Sequence, residues 1–129
     1  YFSECIMDKS RVIIAGSRNF DNYELLSSVV SENIADMENV EIISGGCSGA
    51  DSLGERFADE NGLELKVFQA EWGKYGRAAG PIRNKAMAEY ASQVGDCMLI
   101  AFPIGSSSGT RNMIQLARNY GIETVIVEG

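Results

Sequence analysis

The sequence predicts a single α/β domain with a doubly wound parallel sheet of about five strands and helices on both faces. Three observations predict it. Short apolar, often β-branched runs alternate along the chain with stretches of helical periodicity. Three of those runs end in glycine-bearing turns just before the next helix. A length of 129 residues, with 45% hydrophobic and 22% charged residues, suits one sizeable core.

Residues 1–10 show no periodicity and do not begin with Met, so they are read as an irregular arm or as residues foreign to the domain, which is taken as 11–129. Arg11 to Ala15 is a buried strand ending at Gly16. Leu25, Leu26, Val29, Val30, Ile34 and Met37 then recur on one helical face, with Asp21 or Asn22 positioned as the cap. Val40 to Ile43 is the second strand, closed by Gly45 and Gly46. Ser48 to Asn61 is the second helix, with Leu53, Phe57 and Ala58 inward and Gly62 as its stop. Leu63 to Phe68 is the third strand. A long connection from Gln69 to Gly80 carries Trp72 and Tyr75. The third helix runs from Pro81 to about Gln93, because proline is favoured in a first turn. Cys97 to Phe102, Gly109 to Tyr120 and Thr124 to Val127 complete the pattern as strand, helix and strand. Right-handed crossovers between such strands give a sheet covered on both faces. No repeat, low-complexity tract or linker interrupts it.

Composition narrows the function. With 18 acidic against 11 basic residues the formal net charge is −7. That balance lacks the broad positive field of non-specific nucleic-acid binding, so nucleic acid is disfavoured as a partner, while a small anion can be held locally. The chain has no histidine, which excludes Ser-His and Cys-His catalysis and the common zinc sites. Cys5, Cys47 and Cys97 fit neither a zinc motif nor a disulfide framework, which points to a reducing cytoplasm. No apolar run is long enough for a bilayer and no secretory signal is present, so no membrane partner is expected. No carboxylate cluster suggests a metal cage, and no cofactor is required.

In doubly wound sheets ligands bind beyond the carboxyl ends of the strands. The special residues fall there. Gly16, Ser17 and Arg18 follow the first strand. Gly45, Gly46, Cys47, Ser48, Gly49 and Asp51 follow the second. Gly80-Pro81-Ile82-Arg83-Asn84 opens the third helix, and Gly105 to Ser108 with Gly109 and Thr110 follows the fourth strand. Glycines let the backbone approach a ligand closely, and the following helix presents unpaired N–H groups and a positive dipole end. Arg18 and Arg83 add groups suited to bidentate phosphate or carboxylate contact. Other readings stand beside these. Glycine turns are common for purely structural reasons. Ser48 and Asp51 have capping-box spacing. Arg83 lies one turn inside a helix start, against the dipole, and that placement favours a functional role. For Trp72 and Tyr75 the default is core or sheet-edge packing, with stacking on a base as the alternative. The first turn lacks G-x-G-x-x-G and no P-loop is present, which argues against an NAD dehydrogenase or a P-loop NTPase.

The segments Arg11 to Arg18, Ser44 to Asp51, Tyr75 to Asn84 and Ser108 to Thr110 together resemble the YspA-like (cpYpsA-related) branch of the SLOG superfamily. That superfamily includes the LOG-type phosphoribohydrolases and the DprA/Smf proteins. The resemblance spans about Arg11 to Val127. It implies a Rossmann-like fold that binds nucleotides or nucleotide-derived ligands of the NAD or ADP-ribose kind, as some bacterial and phage sensor domains do. LOG enzymes join an arginine-bearing helix to a P-G-G-x-G-T-x-x-E turn. Arg83 is similar to that arginine and Ser107 to Thr110 to that turn, but Met113 stands where the glutamate is expected. The implied function is therefore binding or sensing of a phosphate-bearing nucleotide. Hydrolysis of an N-glycosidic bond, with Arg83 and Asp51 as catalytic groups or Glu55 in place of the glutamate, is the alternative. A DNA-associated role of the DprA kind comes third. Relatives in the superfamily often pair, so a homodimer is compatible with the resemblance.

Overall fold

The computed structural model describes residues 9–104 and 108–127. Strand β1 spans Ser10–Gly16, helix α1 Tyr23–Ile34, β2 Val40–Ser44, α2 Ala50–Glu60 and β3 Glu64–Val67. A short helix α3, Trp72–Tyr75, and a 3₁₀ turn, Gly76–Ala78, lead into α4, Ala79–Ala91. Strand β4 (Asp96–Phe102), α5 (Ser108–Asn119) and β5 (Glu123–Ile126) follow. The five strands form one parallel sheet in the order β3-β2-β1-β4-β5. The fold is Rossmann-like, as the alternation predicted.

The central strands are continuously apolar because both of their faces are covered. On one face Val12, Ile14, Ile42 and Ile100 pack with Leu26 and Val30 of α1 and Phe57 and Ala58 of α2. On the other, Ile13, Ala15, Ile43 and Leu99 pack with Met87, Ala88 and Ala91 of α4 and Met113 and Ala117 of α5. Asn22 caps α1, its side-chain oxygen accepting from Leu25 N at 3.1 Å. The edge strands β3 and β5 are four residues each and partly exposed, which limits pairing with other chains.

Element ends moved where a tertiary contact outweighed local preference. Helix α2 starts at Ala50, two residues later than expected, because Gly49 takes a left-handed φ of 79° that cannot continue a helix. Helix α4 starts at Ala79, two residues earlier, fed directly by the 3₁₀ turn. Pro81 still lies in its first turn, where no intrahelical N–H is needed. Met37 lies beyond the end of α1, its N–H bonded to Ile34 O. Strand β1 takes in Ser10, which was read as part of the arm.

A polar cluster closes the amino end of the sheet. Arg11 Nη1 donates to Tyr90 O at 2.6 Å and to Gln93 Oε1 at 3.0 Å, and the guanidinium lies 3.7 Å from the Tyr90 ring centroid. Tyr90 Oη donates to Glu41 Oε1 at 2.7 Å. Arg11 Nε is 3.2 Å from the same carboxylate oxygen, an ion pair without an aligned hydrogen bond.

Candidate functional site

At the opposite, carboxyl end a cavity of about 540 Å³ opens above β1 and β4. This is where the strand order reverses, with β2 on one side of β1 and β4 on the other. Its floor is made by backbones packed without side chains between them. Ser17 N donates to Phe102 O, while Ser17 O accepts from Ala50 N and Phe20 N. A Cβ on Gly16 would sit 2.5 Å from Phe102 O and 2.8 Å from the Ala50 Cβ. One on Gly49 would strike Ser17 O and the Arg18 backbone. Glycine is required at both positions so that β1, β4 and the start of α2 can meet.

The walls come from α4 and α5. Arg83 Nη1 donates to Gly45 O at 2.6 Å and Nε to Asn84 Oδ1 at 2.9 Å. Asn84, 5% exposed, donates from Nδ2 to Asn112 Oδ1 at 2.9 Å and to Gly109 O at 3.3 Å. The turn after β2, the first turns of α4 and the start of α5 are thereby joined in one hydrogen-bonded chain. The first turns of α4 and α5 carry no acidic residue, whereas those of α1 and α2 carry Glu24 and Asp51. Among the described residues, no acidic side chain of their own first turns offsets the positive dipole ends of α4 and α5.

Asp51 is buried beside this chain. Its Oδ2 accepts from Gly45 N at 3.1 Å. Burial pushes its carboxyl up to about 6, although the Arg83 charge and the amides of Cys47 and Gly45 pull the other way. The cavity is lined by three guanidinium-bearing residues, Arg18, Arg77 and Arg83, and by one carboxylate, Asp51. A chain of net charge −7 therefore presents a locally positive pocket.

Of the residues singled out in the sequence, Gly16, Ser17, Arg18, Asp51, Arg83, Asn84, Ser108, Gly109 and Thr110 line this cavity together. Gly45, Gly46, Ser48 and Gly49 do not. Gly45 lies behind the wall, where a Cβ would meet Asp51 Oδ2 and Arg83 Nη1, and Gly46 faces the Gln69 side chain. The capping-box reading is corrected: Gly49 is the cap residue of α2 and receives no side-chain cap, while Asp51 turns to the β2 loop. Glu55 is corrected as well. It accepts from Ser44 Oγ at 2.6 Å and is not on the cavity wall. Trp72 and Tyr75 are not packed into core or edge but 48% and 39% exposed, with Trp72 on the cavity rim. Gly105 to Ser107 lie outside the described residues. Sequence reasoning missed Asn19, Ile104 and Asn112, whose approach to the cavity depends on loop course and helix pairing instead of any local motif.

Among the described residues no group of histidine, cysteine or carboxylate side chains is placed to hold a metal ion. No helix of the described residues is long and apolar enough to cross a membrane.

Comparison with known proteins agrees with the fold. The family described as YspA, cpYpsA-related SLOG family (YAcAr) matches residues 10–75. The chain is 30% identical over 121 residues to the Gene 61 protein of Mycobacterium phage D29, covering 89% of this chain and 94% of that protein. DNA processing protein A (DprA) from Streptococcus pneumoniae superposes with a TM-score of 0.68 at 17% identity, covering 98% of this chain and 52% of the other. The chain thus spans about half the length of DprA, and that likeness is one of fold.

Proposed function

The chain belongs to the YspA, cpYpsA-related SLOG family, and from that premise we propose that it binds a nucleotide-derived, phosphate-bearing small molecule in the cavity above β1 and β4. One observation carries the reading: the amino ends of α4 and α5 and three arginines meet at one cavity. Positive helix dipole ends and guanidinium forks are the chemistry that holds phosphate. A volume of about 540 Å³ lies within the usual range of small-molecule sites. Ser108, Gly109 and Thr110 at the start of α5 are the expected phosphate donors. Arg18 and Arg83 neutralise its charge, and Asn84 holds Arg83 in place.

A thermal-shift panel of AMP, ADP-ribose, NAD and cyclic nucleotides tests this. Ligand at a hundredfold excess over its dissociation constant is expected to stabilise the fold by about 2.7 kcal/mol. If none of the panel raises the melting temperature, the reading falls.

A second reading, hydrolysis of a nucleotide N-glycosidic bond, is favoured by Asp51, the one carboxylate among the cavity-lining residues. Its carboxyl, raised to about 6, is suited to passing a proton near neutral pH. Release of free adenine from AMP, lost in Arg83→Ala and in Asp51→Asn, is the result this reading requires.

A further inference from the structure

We propose that Trp72 is the platform on which the ligand's base stacks, so that the cavity selects base-bearing phosphates over sugar phosphates. This deepens the binding reading above and rests on it. Trp72 does little for the fold. It sits on a four-residue helix with no buried residue, within a stretch, 71–78, that is exposed throughout. Large aromatic side chains are normally among the most buried in a domain, so a half-exposed tryptophan on a cavity rim calls for an explanation.

Its placement supplies one. The indole lies over Gly80 in the first turn of α4, and a Cβ there would come within 3.3 Å of its Cη2 atom. The backbone of α4 therefore seats the ring beside the helix end proposed to attract phosphate. Ile104, 40% exposed, lines the same cavity from the loop after β4, and Pro81 lines it from α4. The cavity thus combines an apolar, flat-faced part with the arginines and helix ends of its charged part. A flat heteroaromatic ring joined to a phosphate matches both, whereas ribose 5-phosphate or inorganic phosphate matches only the second. A base stacked on an aromatic side chain is lost at a cost of about five- to 150-fold in affinity when the ring is removed.

Trp72 is the only tryptophan in the chain, so its fluorescence reports directly on this contact. The experiment titrates AMP, ADP-ribose and ribose 5-phosphate into the whole chain and into Trp72→Ala and Trp72→Phe. Fluorescence is followed in the parent and calorimetry in all three. AMP and ADP-ribose are expected to quench Trp72, and ribose 5-phosphate to leave it unchanged. Trp72→Ala is expected to weaken AMP at least fivefold while shifting ribose 5-phosphate less than twofold, and Trp72→Phe to keep most of the AMP affinity. Equal affinities for AMP and ribose 5-phosphate, or an equal effect of Trp72→Ala on both, overturns the stacking proposal and leaves phosphate binding standing. Absence of binding by all three compounds overturns both. Because Trp72 is half-exposed, each variant's melting temperature should stay within a few degrees of the parent, which separates lost stacking from lost folding.

Discussion

At the amino end of the sheet Arg11 lies among partners: the Tyr90 carbonyl, the Gln93 side chain, the Tyr90 ring and the Glu41 carboxylate. At the carboxyl end Arg83 spends Nη1 and Nε on Gly45 and Asn84 and faces an open cavity. Helix α4 connects the two, with Tyr90 in its last turn and Arg83 near its first. A cation at a helix carboxyl end is favoured by the dipole, and one near the amino end is opposed by it. The lower arginine donates to the last-turn Tyr90 carbonyl, which also accepts from Gln93 N. The upper one adds positive charge where the helix has already placed some. The difference separates a group that holds the fold from the one to which the proposed function assigns an anion.

The sharpest way to break that contrast is Arg11→Met. Removing one partner of a buried ion pair leaves Glu41, 7% exposed, without its countercharge, and is expected to cost about 3–5 kcal/mol in chemical denaturation. AMP affinity of the folded protein should not change. A loss below 1 kcal/mol would remove the distinction. Next in size is a pH effect at Asp51. Its carboxyl titrates at 3.8 when unperturbed and at about 6 in the fold, so the folded chain keeps a proton that the unfolded chain has released. Stability should therefore fall as pH rises from 4 through 6, by about 3 kcal/mol from this group, and the slope should vanish in Asp51→Asn. Unfolding free energies of both proteins at four pH values check it.

Arg83→Ala is expected to do the reverse of Arg11→Met. Affinity for AMP should drop by about 1.5–3 kcal/mol, the usual worth of a charged hydrogen bond, with about 1 kcal/mol or less lost from stability through the unpaired Gly45 carbonyl. Calorimetry paired with denaturation separates the two effects. The smallest change is expected for Gln93→Ala, which removes one exposed hydrogen bond to Arg11 and should cost about 0.5–1 kcal/mol.

The sheet was legible because buried parallel strands must be apolar on both faces, and runs such as Val12-Ile13-Ile14 and Met98-Leu99-Ile100 satisfy that without ambiguity. The convergence of Gly16, Arg83 and Thr110 on one cavity followed from the same logic, since strand ends in such a sheet share a rim. What a glycine does there was not legible. Gly16, Gly45 and Gly49 all give way to packed neighbours, to Phe102 and Ala50, to Arg83 and Asp51, and to the Ser17 backbone, yet of the three Gly16 alone also lines the cavity. Of the two readings open for Asp51, the capping box fails because S-x-x-D spacing encodes only a local contact, and the Gly45 amide across the loop takes the carboxylate instead. Asn84 and Asn112 meet only because α4 and α5 pack side by side, a relation that no single helix records.

The pairing of β1 with β4 joins residues as distant as Ser10 and Asp96, and Gly16 with Phe102. A chain emerging from the ribosome can assemble β1, β2 and α2 early, but the cavity floor must await the delivery of β4. Contacts that span so much sequence close slowly, because the intervening loop loses its freedom before any pairing rewards it. The cavity is thus among the last features this polypeptide completes, and, under the proposed function, nascent fragments ending before Asp96 are expected to be blind to nucleotide.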